Sequence, residues 1–367
     1  MPDEDYMKQA LRLARRGQGR TSPNPMVGAV IVKGNRIIGQ GYHRYFGGKH
    51  AEINAIESVR EDISGATMYV TLEPCCHHGK TLPCVETIIR SDIGRVIIGT
   101  VDLNPRVNGR SVKILNKEGI ETRVGVLEDE CFSLNEAYFK YMKTGLPFIT
   151  VKFAMTLDAR IATSTGSSQW ISSLASQRLA HKLRTYNDAV MVGASTIIRD
   201  NPRLTVRLVR GRNPTRIVLD SRLKVPPDSR VFEEQEAAPT IVATTSRGDD
   251  EKVATLGGRG IEVLVVQEDE RGRVDLARLL GMLAKREISS VLVEGGAETI
   301  TSFLRLNLVD RLVAIVAPKL MGRGIEVVGE LNITDVDKAI KLSFTRTYRS
   351  GEDIVVEGRV EKSPSIT

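Results

Sequence analysis

Three cysteines and two histidines lie within thirteen positions of the segment LEPCCHHGKTLPC (72–84), and Cys131 is the one cysteine left elsewhere. Such a segment could form a disulfide knot, a structural zinc site or a catalytic metal site. Four cysteines in 367 residues are too few for a disulfide framework, and a four-cysteine zinc site needs two close cysteine pairs. A catalytic zinc needs only three nitrogen or sulfur ligands beside an open position, so the segment favours that kind of site.

The third ligand is predicted upstream, in the segment HAEINAI (50–56). His-x-Glu, followed by Pro-Cys and a second cysteine, is the pattern of zinc-dependent deaminases. In this interpretation His50, Cys75 and Cys84 bind Zn²⁺, which lowers the pKa of a coordinated water. Glu52, which is not a ligand, takes the proton of that water and delivers it to the substrate ring and the departing amine. The predicted reaction is therefore hydrolytic deamination.

Each predicted sulfur ligand follows a proline and stands near a predicted helix start, where backbone N–H groups favour a thiolate. Cys76 could replace Cys75 as a ligand, but it lacks a preceding proline and is interpreted as a spectator. Cys131 is interpreted as a small buried residue on a long helix.

Nucleoside and polynucleotide deaminases commonly place two residues between their sulfur ligands, whereas here the two cysteines are nine positions apart. The inserted loop carries His77, His78 and Lys80 beside the predicted metal. These side chains are placed to meet a phosphate or a distinctive pyrimidine substituent, and either histidine could also be a metal ligand.

The composition is that of a globular protein, with 41% hydrophobic and 26% charged residues, and the length predicts two domains. No apolar run reaches about eighteen residues, and the N-terminal segment is charged and amphipathic. We therefore expect no membrane association and a cytoplasmic location. A net charge of +7 fits nucleic acid or small anions, and the low aromatic content of 5% favours a small phosphorylated substrate over nucleic acid.

Strands and helices alternate along the chain. In the first part, apolar strands such as TMYVTL alternate with amphipathic helices, which predicts a three-layer α/β sandwich. A long helix is predicted at about 128–143 and is expected to end near Gly145. We therefore predict two domains, residues 1–145 and residues 146–367, and the second is expected to be an α/β domain with its own sheet.

The second domain carries weaker signals. VEGGAET (293–299) joins a strand to a helix and could let a phosphate approach, although it can equally be a tight turn and is not a Gly-x-Gly-x-x-Gly motif. Asp200 and Arg207 lie in RDNPRLTVR, a predicted loop suited to phosphate. Lys152 lies inside an apolar strand, where its charge needs a partner, and Asp200 is the predicted partner. Trp170, the only tryptophan, is interpreted from its type alone as a core residue.

Longer segments resemble one family. PNPMVGAVIV, HAEINAI, TLEPCCHHGKTLPC and DLNPRVNGR are similar to the deaminase half of the bifunctional deaminase/reductase of riboflavin biosynthesis. VKFAMTLDARIATSTGSSQWIS, VGASTIIRDNPRLTVR, RIVLDS, VLVEGGAET and APKLMG are similar to its reductase half. The resemblance runs to about residue 360 and implies a cytidine-deaminase-like domain followed by a dihydrofolate-reductase-like domain that uses NADPH. The chain departs from the family at Cys76, where serine is more usual, and at Ala159, where many reductases carry glycine.

The resemblance also implies roles for single residues. Asn24 is implied to contact the pyrimidine in the first domain, where His77 and Lys80 are predicted substrate contacts from their place in the inserted loop. Those implied to contact NADPH are Ala154, Trp170, Thr196, Asp200, Ser221, Gly296, Ala297, Glu298, Thr299, Ile300, Thr301 and Ser302. Those implied to contact the ribose-phosphate substrate are Ser168, Arg184, Leu204, Arg207 and Glu294. Lys152 and Asp200 would orient the substrate chain or relay a proton, and so would be catalytic, as Glu52 is in the first domain.

The implied reaction has two steps. The 2-amino group of 2,5-diamino-6-ribosylamino-4(3H)-pyrimidinone 5′-phosphate becomes a carbonyl, and NADPH then reduces the ribosyl chain to ribityl. A homo-oligomer formed through the reductase domain is also implied. The alternatives are a nucleic-acid deaminase with an RNA-binding second domain, a metal-stabilised scaffold and a deaminase whose second domain is degenerate. Glu52 disfavours the scaffold, because a structural zinc has no use for a carboxylate beside an open position.

Overall fold

The computed structural model describes residues 2–77 and 82–362. The chain forms two compact units, Met1–Leu146 and Pro147–Thr367. Within the described ranges, none of the helices combines the length and the apolar character that a bilayer crossing requires.

The first unit alternates strands and helices. Its elements are, in chain order, α1 (Asp3–Ala14), β1 (Gly28–Lys33), β2 (Arg36–Tyr42), α2 (Ala51–Ser58), β3 (Thr67–Leu72), α3 (Cys84–Arg90), β4 (Arg95–Thr100), α4 (Arg110–Lys117), β5 (Glu121–Val124), α5 (Glu128–Leu134) and α6 (Glu136–Thr144). They form one five-stranded sheet of order β2-β1-β3-β4-β5. β1 pairs antiparallel with β2 and β3, and the remaining pairs are parallel.

Side chains on β1 alternate between two apolar cores. Ala29 and Ile31 belong to one core, and Val30 and Val32 belong to the other. Successive residues of a strand point to opposite faces, so the two cores lie on the two faces of the sheet. Helix α2 contributes to the first core and helix α1 to the second. The predicted three-layer sandwich is confirmed.

The helix predicted at about 128–143 is interrupted, and that prediction was wrong in this respect. Asn135 separates α5 from α6 with backbone angles of φ −118° and ψ 25°. Its side-chain oxygen accepts the Met26 N–H at 2.8 Å, and its side-chain amide donates to the Met26 carbonyl at 2.9 Å. These two bonds to a segment far away in sequence hold Asn135 outside the helical conformation. Helix α6 ends at Gly145 in the left-handed conformation (φ 66°), as predicted.

The second unit has its own sheet. Its elements are β6 (Phe148–Thr156), β7 (Arg160–Thr163), α7 (Leu174–Tyr186), β8 (Ala189–Gly193), α8 (Ala194–Asp200), β9 (Thr215–Leu219), β10 (Thr240–Thr244), α9 (Asp250–Gly258), β11 (Glu262–Val265), α10 (Leu276–Ala284), β12 (Ser290–Val293), α11 (Ala297–Arg305), β13 (Arg311–Ala317), β14 (Gly324–Glu326), β15 (Leu342–Ser350) and β16 (Asp353–Val360). Nine strands form a sheet of order β11-β10-β9-β8-β12-β6-β13-β16-β15, and β14 pairs with β7. The predicted α/β character is confirmed.

Several elements of this unit were not predicted. Residues 194–200 form helix α8, so Asp200 ends a helix instead of lying in a loop. Strand β16 pairs antiparallel with β13 and carries β15 on its other side. Both strands carry polar and charged residues, and for β16 the pairing with the apolar strand β13 decides the conformation more than its own composition does.

Candidate active sites

His50, Cys75 and Cys84 meet at one point of the first unit. Their nitrogen and sulfur atoms all lie within 4.8 Å of one another. His50 Nδ1 is 3.2 Å from the Cys84 sulfur and 3.5 Å from the Cys75 sulfur. In a tetrahedral zinc site a nitrogen and a sulfur ligand are separated by roughly 3.6 Å. The donor set and its spacing therefore fit Zn²⁺.

Three element ends position these ligands. His50 precedes the first residue of α2, Cys84 begins α3, and Cys75 lies in the segment after β3. The backbone N–H of Cys84 donates to the Cys75 sulfur at 3.3 Å, and the N–H of Val85 donates to the Cys75 carbonyl at 3.2 Å. The start of α3 is thereby tied to the segment after β3, which brings the two sulfurs together despite the nine-residue separation.

The three groups shift one another's pKa values. A hydrogen bond from the Cys84 thiol lowers the pKa of Cys75 to about 4, and His50 acts in the same direction. The bond with Cys75 raises the pKa of His50 to about 9. These contacts favour the thiolate form of Cys75, the form that would bind a metal, and His50 and Cys84 would release their protons on binding.

Glu52 lies beside this cluster in the first turn of α2. It is only 3% exposed, and burial raises the pKa of its carboxyl above the ordinary value. Its carboxyl also hydrogen-bonds with the Cys84 thiol. A buried carboxyl at this point can exchange protons with a group at the metal position without becoming a ligand itself.

His43 is a buried residue of this site that the sequence analysis missed. Its ring packs edge-on against His50 with 5.5 Å between ring centres. Its Nε2 lies 3.4 Å from the side-chain amide of Asn24, and its Nδ1 lies 3.1 Å from the Lys49 carbonyl. His43 therefore links Asn24, a predicted pyrimidine contact, to the candidate ligand His50. The one available signal was the rarity of histidine, since the chain has five.

The remaining residues of the inserted loop differ from one another. The Cys76 sulfur points to the carbonyl of Arg106 at 3.6 Å and packs against the first apolar core, so it lies outside the ligand set. Among the residues that the structure describes, no hydrogen-bond partner contacts the buried Nδ1 of His77. His78 and Lys80 lie outside the described residues.

A buried carboxylate anchors the segment that follows β4. Glu73 accepts hydrogen bonds from the backbone N–H groups of Asp102, Gly109 and Ser111 at 2.8 to 3.2 Å. The Ser111 hydroxyl in turn donates to the Pro74 carbonyl. These bonds hold the segment DLNPRVNGR against the turn that carries Cys75.

In the second unit, a charged cluster forms around Lys152. Arg184 on α7 and Glu294 after β12 form a two-pronged ion pair with bonds of 3.0 and 2.8 Å, and their side chains are 11% and 8% exposed. Burial alone would raise the pKa of Glu294, but the charges of Arg184 and Lys152 outweigh it and lower that pKa to about 2. Arg184 also donates to the Thr205 carbonyl at 3.1 Å.

The predicted pairing of Lys152 with Asp200 was wrong. Val151 is the register partner of Val293 in the parallel pair β6–β12, so Lys152 and Glu294 follow side by side. Burial lowers the pKa of Lys152, and the carboxylate that opposes this shift is Glu294. Asp200 instead accepts a hydrogen bond from the Ser168 hydroxyl at 3.2 Å. The structure thus brings Ser168 and Asp200 together, and joins Lys152 to Arg184 and Glu294.

A cavity of about 960 Å³ opens beside the carboxyl ends of β8 and β9. Its lining includes four residues predicted to contact NADPH, namely Ser221, Glu298, Thr299 and Ser302. Gly193, at the end of β8, belongs to the lining, and a Cβ there would lie 2.9 Å from the Thr299 hydroxyl. Cofactor sites typically measure roughly 300–1,000 Å³, so the cavity fits a dinucleotide.

The other predicted NADPH contacts have varied surroundings. Thr196 lies next to the turn, since its hydroxyl would be 3.8 Å from a Cβ on Gly296. Ile300 is fully buried, so its side chain faces the core. Thr301 donates to the Ala297 carbonyl, and Ala154 lies on β6. Trp170 is 68% exposed, so its interpretation as a core residue was wrong.

Both units match known family models. Residues 1–100 match the cytidine and deoxycytidylate deaminase zinc-binding region, and residues 147–356 match the RibD C-terminal domain. A riboflavin biosynthesis protein RibD of Aquifex aeolicus is 45% identical over 96% of this chain and 97% of its own length. That of Actinobacillus pleuropneumoniae is 42% identical over 97% and 95%.

Two solved structures share the whole architecture. A diaminohydroxyphosphoribosylaminopyrimidine deaminase/5-amino-6-(5-phosphoribosylamino)uracil reductase of Thermotoga maritima is 41% identical with a TM-score of 0.86, covering 98% of both chains. Acinetobacter baumannii RibD is 33% identical with a TM-score of 0.87, covering 98% of this chain and 99% of its own.

Fold and site together define a zinc-dependent deaminase domain joined to an NADPH-dependent reductase domain, and so a two-activity enzyme for small molecules. The chain belongs to the RibD family and is a bifunctional deaminase/reductase of riboflavin biosynthesis. The predicted family, fold class and pair of cofactors are confirmed.

Proposed function

We propose that the first unit deaminates 2,5-diamino-6-ribosylamino-4(3H)-pyrimidinone 5′-phosphate and that the second unit reduces the ribosyl chain of the product to ribityl. The observation that carries the proposal is the cluster of His50, Cys75 and Cys84 with the buried carboxyl of Glu52 beside it. The Thermotoga maritima relative, whose two named activities are of this kind, supports the choice of substrate.

In the first unit, the proposed ligands are His50, Cys75 and Cys84, and a zinc ion held by them would supply a water of lowered pKa. Glu52 would carry one proton from that water to the ring nitrogen and a second, from the hydroxyl added to the ring carbon, to the departing amine, which leaves as ammonia. Asn24 and His77 bind the pyrimidine, and a third predicted contact, Lys80, acts with them.

In the second unit, NADPH would supply a hydride for C1′ of the opened sugar. The residues proposed to hold it include Ser221 and Glu298, which line the cavity beside β8 and β9. Arg207 binds the substrate phosphate, since a guanidinium group matches the geometry of phosphate oxygens. Arg184, whose guanidinium is bonded to Glu294 and to the Thr205 carbonyl, contacts the same substrate and contributes its positive charge. Ser168, Leu204 and Glu294 complete the substrate contacts. Lys152 and Asp200 orient the opened chain and relay the proton that completes the reduction.

The proposed enzyme is a cytoplasmic homo-oligomer that pairs through its second unit. All four cysteines are free, the state that a reducing compartment maintains. Strand β15 stands at one edge of the nine-stranded sheet. The backbone groups of an edge strand are available to a strand of a second copy.

A two-stage assay tests the proposed function. Zinc-loaded protein is given the diaminopyrimidine ribosyl phosphate without NADPH, and ammonia is measured; NADPH is then added and its oxidation is followed. We expect ammonia first and NADPH oxidation only after deamination. Absence of ammonia would refute the deaminase assignment, and ammonia without NADPH oxidation would refute the reductase assignment.

Lys152→Met should abolish most of the reduction and leave deamination intact. The substitution keeps an apolar chain of similar length but removes the ammonium beside Glu294 and Arg184. We expect the rate of NADPH oxidation with deaminated substrate to fall roughly a hundredfold or more, the lower end for loss of a proton-transfer group. Ammonia release by the same variant is the internal control. An unchanged rate of NADPH oxidation would exclude Lys152 from the chemistry.

A further inference from the structure

His181 is a buried histidine beside the charged cluster of the second unit, and the proposed mechanism does not use it. It lies on α7, one turn before Arg184, and is 7% exposed. The charged groups that act on it are Arg184 from the same helix, Arg207 from the segment after α8, Lys152 from β6 and Glu294 after β12.

The hydrogen bonding of His181 determines where its ring proton lies. The backbone N–H of Arg207 donates to His181 Nδ1 at 2.9 Å. A backbone N–H can only donate, so Nδ1 is the acceptor and carries no proton. A neutral imidazole then carries its proton on Nε2. Burial, followed by the charges of Arg184 and Arg207, lowers the pKa of His181 to about 4, so the ring is neutral at physiological pH.

The Nε2–H group is therefore a donor in a positively charged surrounding. The one carboxylate of the cluster, Glu294, is committed to Arg184. Within the described residues, His181 Nε2 donates no hydrogen bond to another group. The Arg207 guanidinium bonds to Thr205, and within the described ranges no carboxylate forms an ion pair with it.

We propose that His181 is a phosphate-binding residue of the reductase site, which donates from Nε2 to the substrate phosphate while Nδ1 positions the backbone of Arg207. The inference rests on the proposed function, because it takes the substrate of the second unit to be a ribosyl phosphate. A neutral imidazole is a suitable donor here, since another fixed cation near Arg184 and Arg207 would be repelled by both. The bond that Nδ1 accepts from the Arg207 N–H thus keeps the ring proton on Nε2, where it can be donated.

Two amide substitutions separate the two halves of the proposal. In His181→Asn the side-chain oxygen takes the place of Nδ1 and still accepts the Arg207 N–H, but the donor at Nε2 is gone. In His181→Gln the amide nitrogen reaches the position of Nε2 and keeps the donor, but the acceptor for Arg207 is lost. Arg178→Gln removes a charge from an exposed position of the same helix and is the matched control.

The measurement is kcat/KM for NADPH oxidation with the deaminated substrate and with the same compound after phosphatase treatment. In His181→Asn we expect kcat/KM for the phosphorylated form to fall roughly tenfold through KM, as for loss of a hydrogen bond to a charged group. The value for the dephosphorylated form should not change. His181→Gln should recover part of the loss, and Arg178→Gln should match the parent for both forms.

An equal fall for both forms in His181→Asn would overturn the proposal, because it would indicate a structural role alone. So would an unchanged preference for the phosphorylated form. If the parent enzyme itself shows no preference for the phosphorylated form, the assignment of this cluster to the substrate phosphate fails, and the role of His181 fails with it. Thermal unfolding of each variant checks that its fold is retained.

Discussion

Glu52→Gln should reduce the rate of ammonia release by roughly 10³- to 10⁴-fold, near the upper end for loss of a general acid–base group. Glutamine has the shape of glutamate but cannot carry a proton between the nucleophilic water and the substrate. In the proposed mechanism this carboxyl serves at least two proton transfers, so no later step rescues the reaction. Its 3% exposure makes replacement by bulk water inefficient.

The same variant should keep its metal and its second activity. Glu52 is not a member of the ligand cluster, so zinc content measured by elemental analysis should equal that of the parent. NADPH oxidation with pre-deaminated substrate should also be unchanged. Glu57→Gln, on the exposed side of the same helix, removes only a surface ion pair with Lys49 and should release ammonia at the parental rate. A fall of less than tenfold in Glu52→Gln would contradict its role as the proton carrier.

Cys75→Ser should eliminate deamination by removing the metal. A hydroxyl is a far poorer zinc ligand than a thiolate, and the remaining pair, His50 and Cys84, cannot complete a three-ligand site. Zinc affinity should fall by more than about a hundredfold, the upper end for loss of an outer-shell partner alone. Metal competition with a chromogenic chelator measures this directly, and ammonia release measures its consequence.

Cys76→Ser is the matched control for this experiment. The two cysteines are adjacent in sequence, yet the Cys76 sulfur points to the Arg106 carbonyl and lies outside the ligand cluster. A serine hydroxyl can make the same contact, so we expect zinc affinity and ammonia release close to those of the parent. If Cys76→Ser loses zinc and Cys75→Ser keeps it, the assignment of the two cysteines is reversed.

The metal site was predictable from the sequence because its parts are local. His50 and Glu52 share one helix start, and Cys75 and Cys84 each follow a proline within one segment. Such a site can be recognised from the short spacings between its residues within each segment, and zinc binds only a few types of side chain. The alternation of strands and helices was also predictable from the sequence, because the spacing of apolar residues is a property of each element.

The contacts of Asn135 and Lys152 could not be predicted from the sequence. The interruption of the predicted long helix depends on two bonds to Met26, more than one hundred residues away. The partner of Lys152 depends on the register of β6 with β12, which places Glu294 beside it and leaves Asp200 with Ser168. The residues that flank Asn135 and Lys152 in the sequence do not indicate these contacts.

By itself, therefore, the sequence predicted the deaminase chemistry of the first unit, the three candidate metal ligands, the candidate proton carrier and the α/β class of both units. Only the tertiary structure decided the partner of Lys152, the placement of His43 against His50, the tautomer of His181 and the cavity beside β8 and β9. The physical reason is the range of the interactions involved. Ligand spacing and capping act over a few residues, whereas strand register and buried polar contacts arise only when distant segments pack together.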